Sequence, residues 1–204
     1  MRRLRRDDDG ITMIEVVVSL TLMAVLMTIF TTAVIQVYRN VNQTESISTG
    51  QTNLNNVFLR LDKEVRYASG ISQPAASGGN WYVEYLNTSR GTEFCTELRL
   101  TPTGNLQRRT WNRNQTPIAP SGWAVLASQL GTVSGTNPFE FIAADPGKSS
   151  GALVGSNFHQ LRITLAALGK DNKQIAESSI TFAALNTSLA TTSAGTCTEG
   201  RAVA

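Results

Sequence analysis

The chain of 204 residues has one histidine, His159, and two cysteines, Cys95 and Cys197, about a hundred residues apart and in no C-x-x-C spacing. Zinc fingers and His/Cys catalytic metal centres therefore lack ligands. With one histidine, H-E-x-x-H cannot be written, and no D-x-D-x-D-G calcium loop occurs. The carboxylates of the body are few and scattered: Glu84, Glu93, Glu97, Glu140, Asp145, Asp171, Glu177 and Glu199. No cofactor is implied. An enzyme would need a nucleophile, a base or a metal, and the material for each is thin. Proline is absent before Pro74, and charge is absent from Val16 to Tyr38. The first absence leaves a long helix unbroken, and the second leaves it apolar enough for lipid.

What is present at the amino terminus begins with four of the eighteen basic residues, Arg2, Arg3, Arg5 and Arg6. The formal net charge of the whole chain is +3, and with these four set apart ahead of the apolar run the body is nearly balanced, so its charge alone does not point to nucleic acid. From Ile11 to Val37 the chain is dominated by Val, Leu, Ile, Met, Ala and Thr. Roughly 20 apolar residues span a bilayer, whereas the apolar core of a cleaved secretory signal is about 7 to 15 residues and precedes a small-residue cleavage site. This run is too long for the latter and predicts a retained span. Four arginines before it and only Arg39 close behind place the start in the cytoplasm and residues 40 onward across the membrane. Within the run, Glu15 stands in the first turn, and an ionised side chain in lipid asks for a partner or a task.

A short basic leader, then Gly10, then "ITMIEVVVSLTLMAVL" resembles the prepilin signal of the type IV pilin and type II secretion pseudopilin superfamily. The resemblance implies that a membrane prepilin peptidase cuts between Gly10 and Ile11 and methylates the new amino terminus at Ile11. It also implies that Glu15 is the assembly glutamate, five residues into the mature chain. The family most often begins its mature chain with phenylalanine, where this one has Ile11. Physics supports a partnership independently of the family: a cut before Ile11 frees an ammonium in the same apolar boundary as the Glu15 carboxylate, where opposite charges attract strongly. A pair made between neighbouring subunits would set axial register. The implied partners are the peptidase, other pilins or pseudopilins, the inner-membrane assembly platform and the membrane itself.

After the span, Leu54, Val57, Phe58, Leu61, Val65 and Ala68 recur at three- and four-residue steps, one helical stripe. The interval 43–53, with Gly50, is rich in weak helix formers and is expected to be soft. "LRLDKEVRYAS" (59–69) reads as the helix end, with Asp62, Lys63, Glu64 and Arg66 on a solvated face. "SQPAASGG" (72–79) breaks it. Strands are predicted at 81–86, 93–101 and 106–111, the last two joined by the turn "TPTGN", and at 159–168 and 175–185, joined by "GKDNKQ". Short apolar islands lie at 123–130 and 138–144, and the tail from Asn186 reads as irregular. The expected fold is α+β: a long N-terminal helix, membrane-spanning in its first half and amphipathic in its second, packed on a C-terminal antiparallel β-sheet domain, pilin-like. The expected divisions are a removed leader 1–10, a transmembrane half 11–37, an amphipathic half 38–70 and an extracytoplasmic domain 71–204. The order of elements also resembles the larger minor pseudopilins of the J position and the minor pilins called PilW-like, which implies a role in initiating a fibre or at its tip.

Two features of the body remain open from sequence. If the domain is exported, Cys95 and Cys197 can form one disulfide, worth roughly 4 to 5 kcal/mol in the loop-entropy model; otherwise they are two unrelated thiols. Arg99, Arg108, Arg109 and Arg113 gather around Trp111, either as a cationic and aromatic surface suited to DNA in an uptake machine or as an ordinary solvated strand face. A membrane-anchored extracytoplasmic binding domain is the remaining alternative.

Overall fold

In the computed structural model the described residues are 12–89, 91–147, 156–169 and 173–202. A single α-helix, α1, runs from Met13 to Arg66 over 54 residues. Glu15 in its first turn and Lys63 and Arg66 in its last complement the helix dipole. Inside the apolar stretch the hydroxyls of Thr21, Thr28 and Thr32 donate back to Val18 O (2.8 Å), Ala24 O (2.7 Å) and Thr28 O (2.8 Å), so none is left unbonded where lipid offers no partner. The polar interval expected to be soft is helical throughout, and Thr44 and Thr52 bond back in the same way.

The chain divides into two compact units, Met1–Glu45 and Ser46–Ala204. Within the first, Met13–Asn42 is long and apolar enough to cross a membrane, and none of its most apolar window is buried in protein. The second holds the core. There Leu54, Val57, Phe58, Leu61 and Val65 of α1 are buried against two antiparallel sheets. The strands are β1 (Ala68–Ile71), β2 (Ala75–Ser77), β3 (Asn80–Ser89), β4 (Thr92–Leu100), β5 (Leu106–Asn112), β6 (Ala124–Ala127), β7 (Leu130–Gly131), β8 (Phe139–Ile142), β9 (Gln160–Leu168) and β10 (Gln174–Ala183). One sheet has the order β1–β3–β4–β5–β6, with β2 also on β3; the other has β10–β9–β7, with β8 also on β9. Thr198–Ala202 forms a short 3-10 helix. A long apolar helix with its second half packed on an antiparallel β domain is the α+β architecture that the residue pattern predicts.

Two local outcomes depart from the sequence reading. The stripe ends with the helix at Arg66: Ala68 is buried as part of β1, paired with Asn87, because a buried alanine satisfies either period. The breaker "SQPAASGG" contains β2, folded onto β3 through Gly78 and Gly79 at φ +56° and +78°, the left-handed pair a two-residue hairpin turn demands. The turn between β4 and β5 also ties the sheets together. Gly104 there has φ +79°, and its carbonyl accepts the Leu130 N–H at 2.9 Å, so close that a Cβ would lie 2.6 Å from Leu130 O.

Candidate functional site

The residues that bear on function fall in two places, one in each unit. In the first, Glu15 lies on α1 with its amide donating to Thr12 O at 3.0 Å. Among the described residues no cation pairs with its carboxylate, and Val16, Ser19, Leu20 and Met23 surround it on one side of the helix. Gly10 and Ile11, expected as the cleavage and methylation positions, lie outside the described residues.

In the second unit, strand alternation scatters the arginines that sequence gathers into a patch. Arg108 and Arg109 are neighbours on β5 and so face opposite ways. Arg108 turns to α1, where its Nε donates to Glu64 Oε2 at 2.9 Å beside the Tyr85 hydroxyl, which donates to the same oxygen at 2.6 Å. Arg109 turns to the far face, is buried, and donates to Glu97 Oε2 at 2.5 Å and to Gly200 O at 2.7 Å. Arg113 lies 3.6 Å from Glu93 at the surface. Arg99 donates to Gln107 Oε1 at 2.6 Å and sits 3.8 Å over the Trp123 ring. Trp111 is 3% exposed, packed under the tail with its indole N–H on Glu199 Oε1 at 3.2 Å, so no base can stack on it. The five do not form a common surface. Three of the four guanidiniums are matched by carboxylates, and phosphate would have to displace those.

The far face of the first sheet carries a buried ionic row that composition did not reveal. Glu84 on β3 stands opposite Glu97 on β4, which stands opposite Arg109 on β5. Arg201, from the carboxy-terminal tail, donates through Nε to Glu84 Oε1 at 2.6 Å and through Nη2 to Glu84 Oε2. Ser72 Oγ donates to Glu84 Oε2 and accepts the Glu84 N–H at 2.8 Å. Burial pushes the Glu84 carboxyl above the usual range against the pull of Arg201 and Ser72. Burial does the same at Glu97, opposed by Arg109 and reinforced by the charge of Glu84. Tyr85, fully buried, is pushed well above the ordinary phenol value by burial first and by Glu64 next.

The tail is held over this row. Cys95 and Cys197 are joined, with Cα atoms 5.6 Å apart. With Glu199 they are the described acid and sulfur groups close enough to share a metal ion, but sulfurs bonded to each other offer no thiolate. Residues 147–151 spell G-x-S-x-G, of which 148–151 lie outside the described residues. Both ring nitrogens of His159 are engaged: Nδ1 accepts the Ala144 N–H and Nε2 meets Thr191 O, each at 2.8 Å. That fixes the Nε2–H tautomer and makes the ring a strut. Among the described residues no nucleophile, base and orienting group converge.

Residues 5–31 match the model of a family described as the prokaryotic N-terminal methylation motif. The chain carries that motif. The matched stretch includes the leader arginines from Arg5, Gly10, Ile11 and Glu15, so the residues that the prepilin resemblance singled out lie inside it. The methylation motif stops at Phe30 and Thr31, within the apolar stretch, and does not reach the β domain. No curated protein and no solved structure matches the chain.

Proposed function

We infer that the protein is a structural subunit, a minor pilin or pseudopilin of a type IV pilus-like or type II secretion fibre, and not an enzyme. Its span holds it in the cytoplasmic membrane with the β domain outside. A prepilin peptidase removes residues 1–10 and methylates Ile11, and an assembly platform then moves the subunit from lipid into a fibre of other pilins. The observation that carries this reading is Glu15, a lone carboxylate in the first turn of α1 just before the charge-free stretch Val16–Tyr38, within the methylation motif. In the assembled fibre it meets the freed amino terminus of a neighbour. The long helix followed by a bulky two-sheet domain supports a place at the start or tip of the fibre, where one subunit caps others.

The test is co-expression with a prepilin peptidase followed by amino-terminal sequencing and mass measurement. The mature chain is expected to begin at Ile11 and to carry one added methyl group. A chain that keeps Met1, or is cut well downstream, would overturn the reading in favour of a membrane-anchored binding domain. That alternative also requires full function after the anchor is exchanged for an unrelated span.

A further inference from the structure

Sheet edges in this domain are short, with one exception. The outer strands β1, β2, β6, β7 and β8 have two to four residues each, the length at which an edge offers little to a passing strand. β10, the outer strand of the second sheet, has ten residues, "QIAESSITFA", with neither proline nor lysine within it.

Hydrogen-bond parity shows which of its main-chain groups are open. On β9 the Thr164 N–H donates to Pro138 O at 2.8 Å and the Leu168 N–H to Gln129 O at 2.7 Å, so even-numbered residues turn away from β10. Odd-numbered residues of β9 therefore bond β10, which makes Leu165 with Ser178 and Ile163 with Ile180 the hydrogen-bonded pairs. Glu177, Ser179 and Thr181 turn their N–H and C=O groups outward, and among the described residues nothing meets them. The edge closes further on, where Leu185 N–H donates to Arg66 O at the end of α1, at 2.9 Å.

The side chains of this stretch are incomplete on both faces. On the helix side Ile163 is fully buried, yet Ile180 opposite it is 36% exposed, so the apolar layer stops one strand short. On the other face Glu177 stands opposite Ala166 with no cation among the described residues, beside an open hollow of about 1090 Å³ lined by Arg162, Thr164, Ser179 and Thr181 among others. Arg162 is already engaged with Glu140 at 2.8 Å.

We propose that the edge of β10 from Glu177 to Thr181 takes an added strand from a different polypeptide, with a lysine or arginine beside Glu177 and an apolar side chain three positions away beside Ile180. The three outward residues supply six main-chain donors and acceptors, and the alternate side chains set which strand fits. A second copy fits poorly. Antiparallel pairing of β10 with itself about Ser179 brings Thr181 to Glu177 and Ser178 to Ile180, and pairing about Ile180 covers Ile180 with its own copy but brings Ala183 to Glu177, so neither register supplies the cation.

The probe is a short fluorescent peptide alternating valine and threonine with one lysine three positions from a central valine, titrated against the full chain in detergent by anisotropy. It is expected to bind at least about tenfold more tightly than the same peptide N-methylated along its main chain. Ser179→Pro removes an outward N–H while leaving the bonds of Ser178 and Ile180 to β9, and edge strands tolerate proline in that orientation. With its circular dichroism unchanged, it should lose about tenfold in affinity. Glu177→Lys should weaken binding, and a peptide with glutamate in place of lysine should restore it. Equal binding of the N-methylated peptide, undiminished binding by Ser179→Pro, or no binding by the parent chain at millimolar peptide would each overturn the proposal. Self-cross-linking of Ser179→Cys through that position would also overturn it, by making a second copy the occupant.

Discussion

Arg109 and Glu97 are both less than 5% exposed, and Glu97 keeps one oxygen, Oε1, without a partner among the described residues. Removing one member of a buried ion pair strands the other charge, at a cost of roughly 3 to 5 kcal/mol. Arg109→Ala should therefore lower stability by about that amount in urea unfolding, and the double change Arg109→Met with Glu97→Leu should recover most of it. Failure of the double change to recover would show that Arg109 acts through Gly200 O and through the Trp123 ring, over which its guanidinium lies at 4.2 Å, instead. The same row has a pH signature. Because Glu84 and Glu97 bind their protons more tightly folded than unfolded, their contribution to stability is fully present below the ordinary carboxylate value of about 4.3 and is lost as pH rises through their folded values. Glu84→Gln with Glu97→Gln should remove that downward slope from stability measured against pH above about 4.3. An unchanged slope would place the titration elsewhere.

At the scale of elements, periodicity made some parts legible and was blind to others. β4, β5, β9 and β10 lie within a residue or two of where apolar alternation and turn composition put them, and β3 starts one residue early and runs to Ser89, three past its expected end. Glu84, Glu97 and Arg109 break that rule by being polar on a covered face, so alternation marked them as solvent-facing. Glu64 departs in the same way: the pattern puts it on a solvated helix flank, but the flank is closed by Tyr85 and Arg108, which no local pattern announces. The tail is free of helix and strand up to Cys197, as its composition predicts, but it is ordered. "NTSLATTSAGTC" has little apolar bulk, and it is ordered by polar atoms: Thr187 Oγ1 accepts the His159 N–H at 2.8 Å, and Asn186 reaches Tyr67 O at 2.9 Å. The bridge from Cys95 to Cys197 locks this element across a separation of 102 residues. Reduction, or Cys95→Ser with Cys197→Ser, should cost up to about 4 to 5 kcal/mol by the loop-entropy model. Amide protection should fall first at Thr196–Arg201 in hydrogen exchange. Loss spread evenly over the domain would show that the bridge holds the sheet and not the tail.

For the whole molecule, the decisive separation is between being made, being processed and being assembled. Insertion depends on the apolar length of Met13–Asn42 and on the arginines ahead of it, and Glu15→Ala alters neither. An unpaired carboxylate disfavours lipid, so its removal makes insertion easier if anything. On the proposed function, the peptidase acts beside Gly10, five positions before the altered residue in sequence. On the same proposal, only the step that moves the subunit from lipid to a neighbour needs the charge, because there the freed ammonium must find a partner as water and headgroups are stripped from it. Glu15→Ala should therefore reach the membrane and be processed at parental levels, yet appear in sheared fibres at a yield lower by roughly tenfold or more, equivalent to about 1.4 kcal/mol lost from the assembly step. Fractionation, amino-terminal sequencing and fibre yield read the three steps separately. Normal fibres would remove the electrostatic pairing from the account, whereas failure of processing would move Glu15 from assembly to recognition by the peptidase.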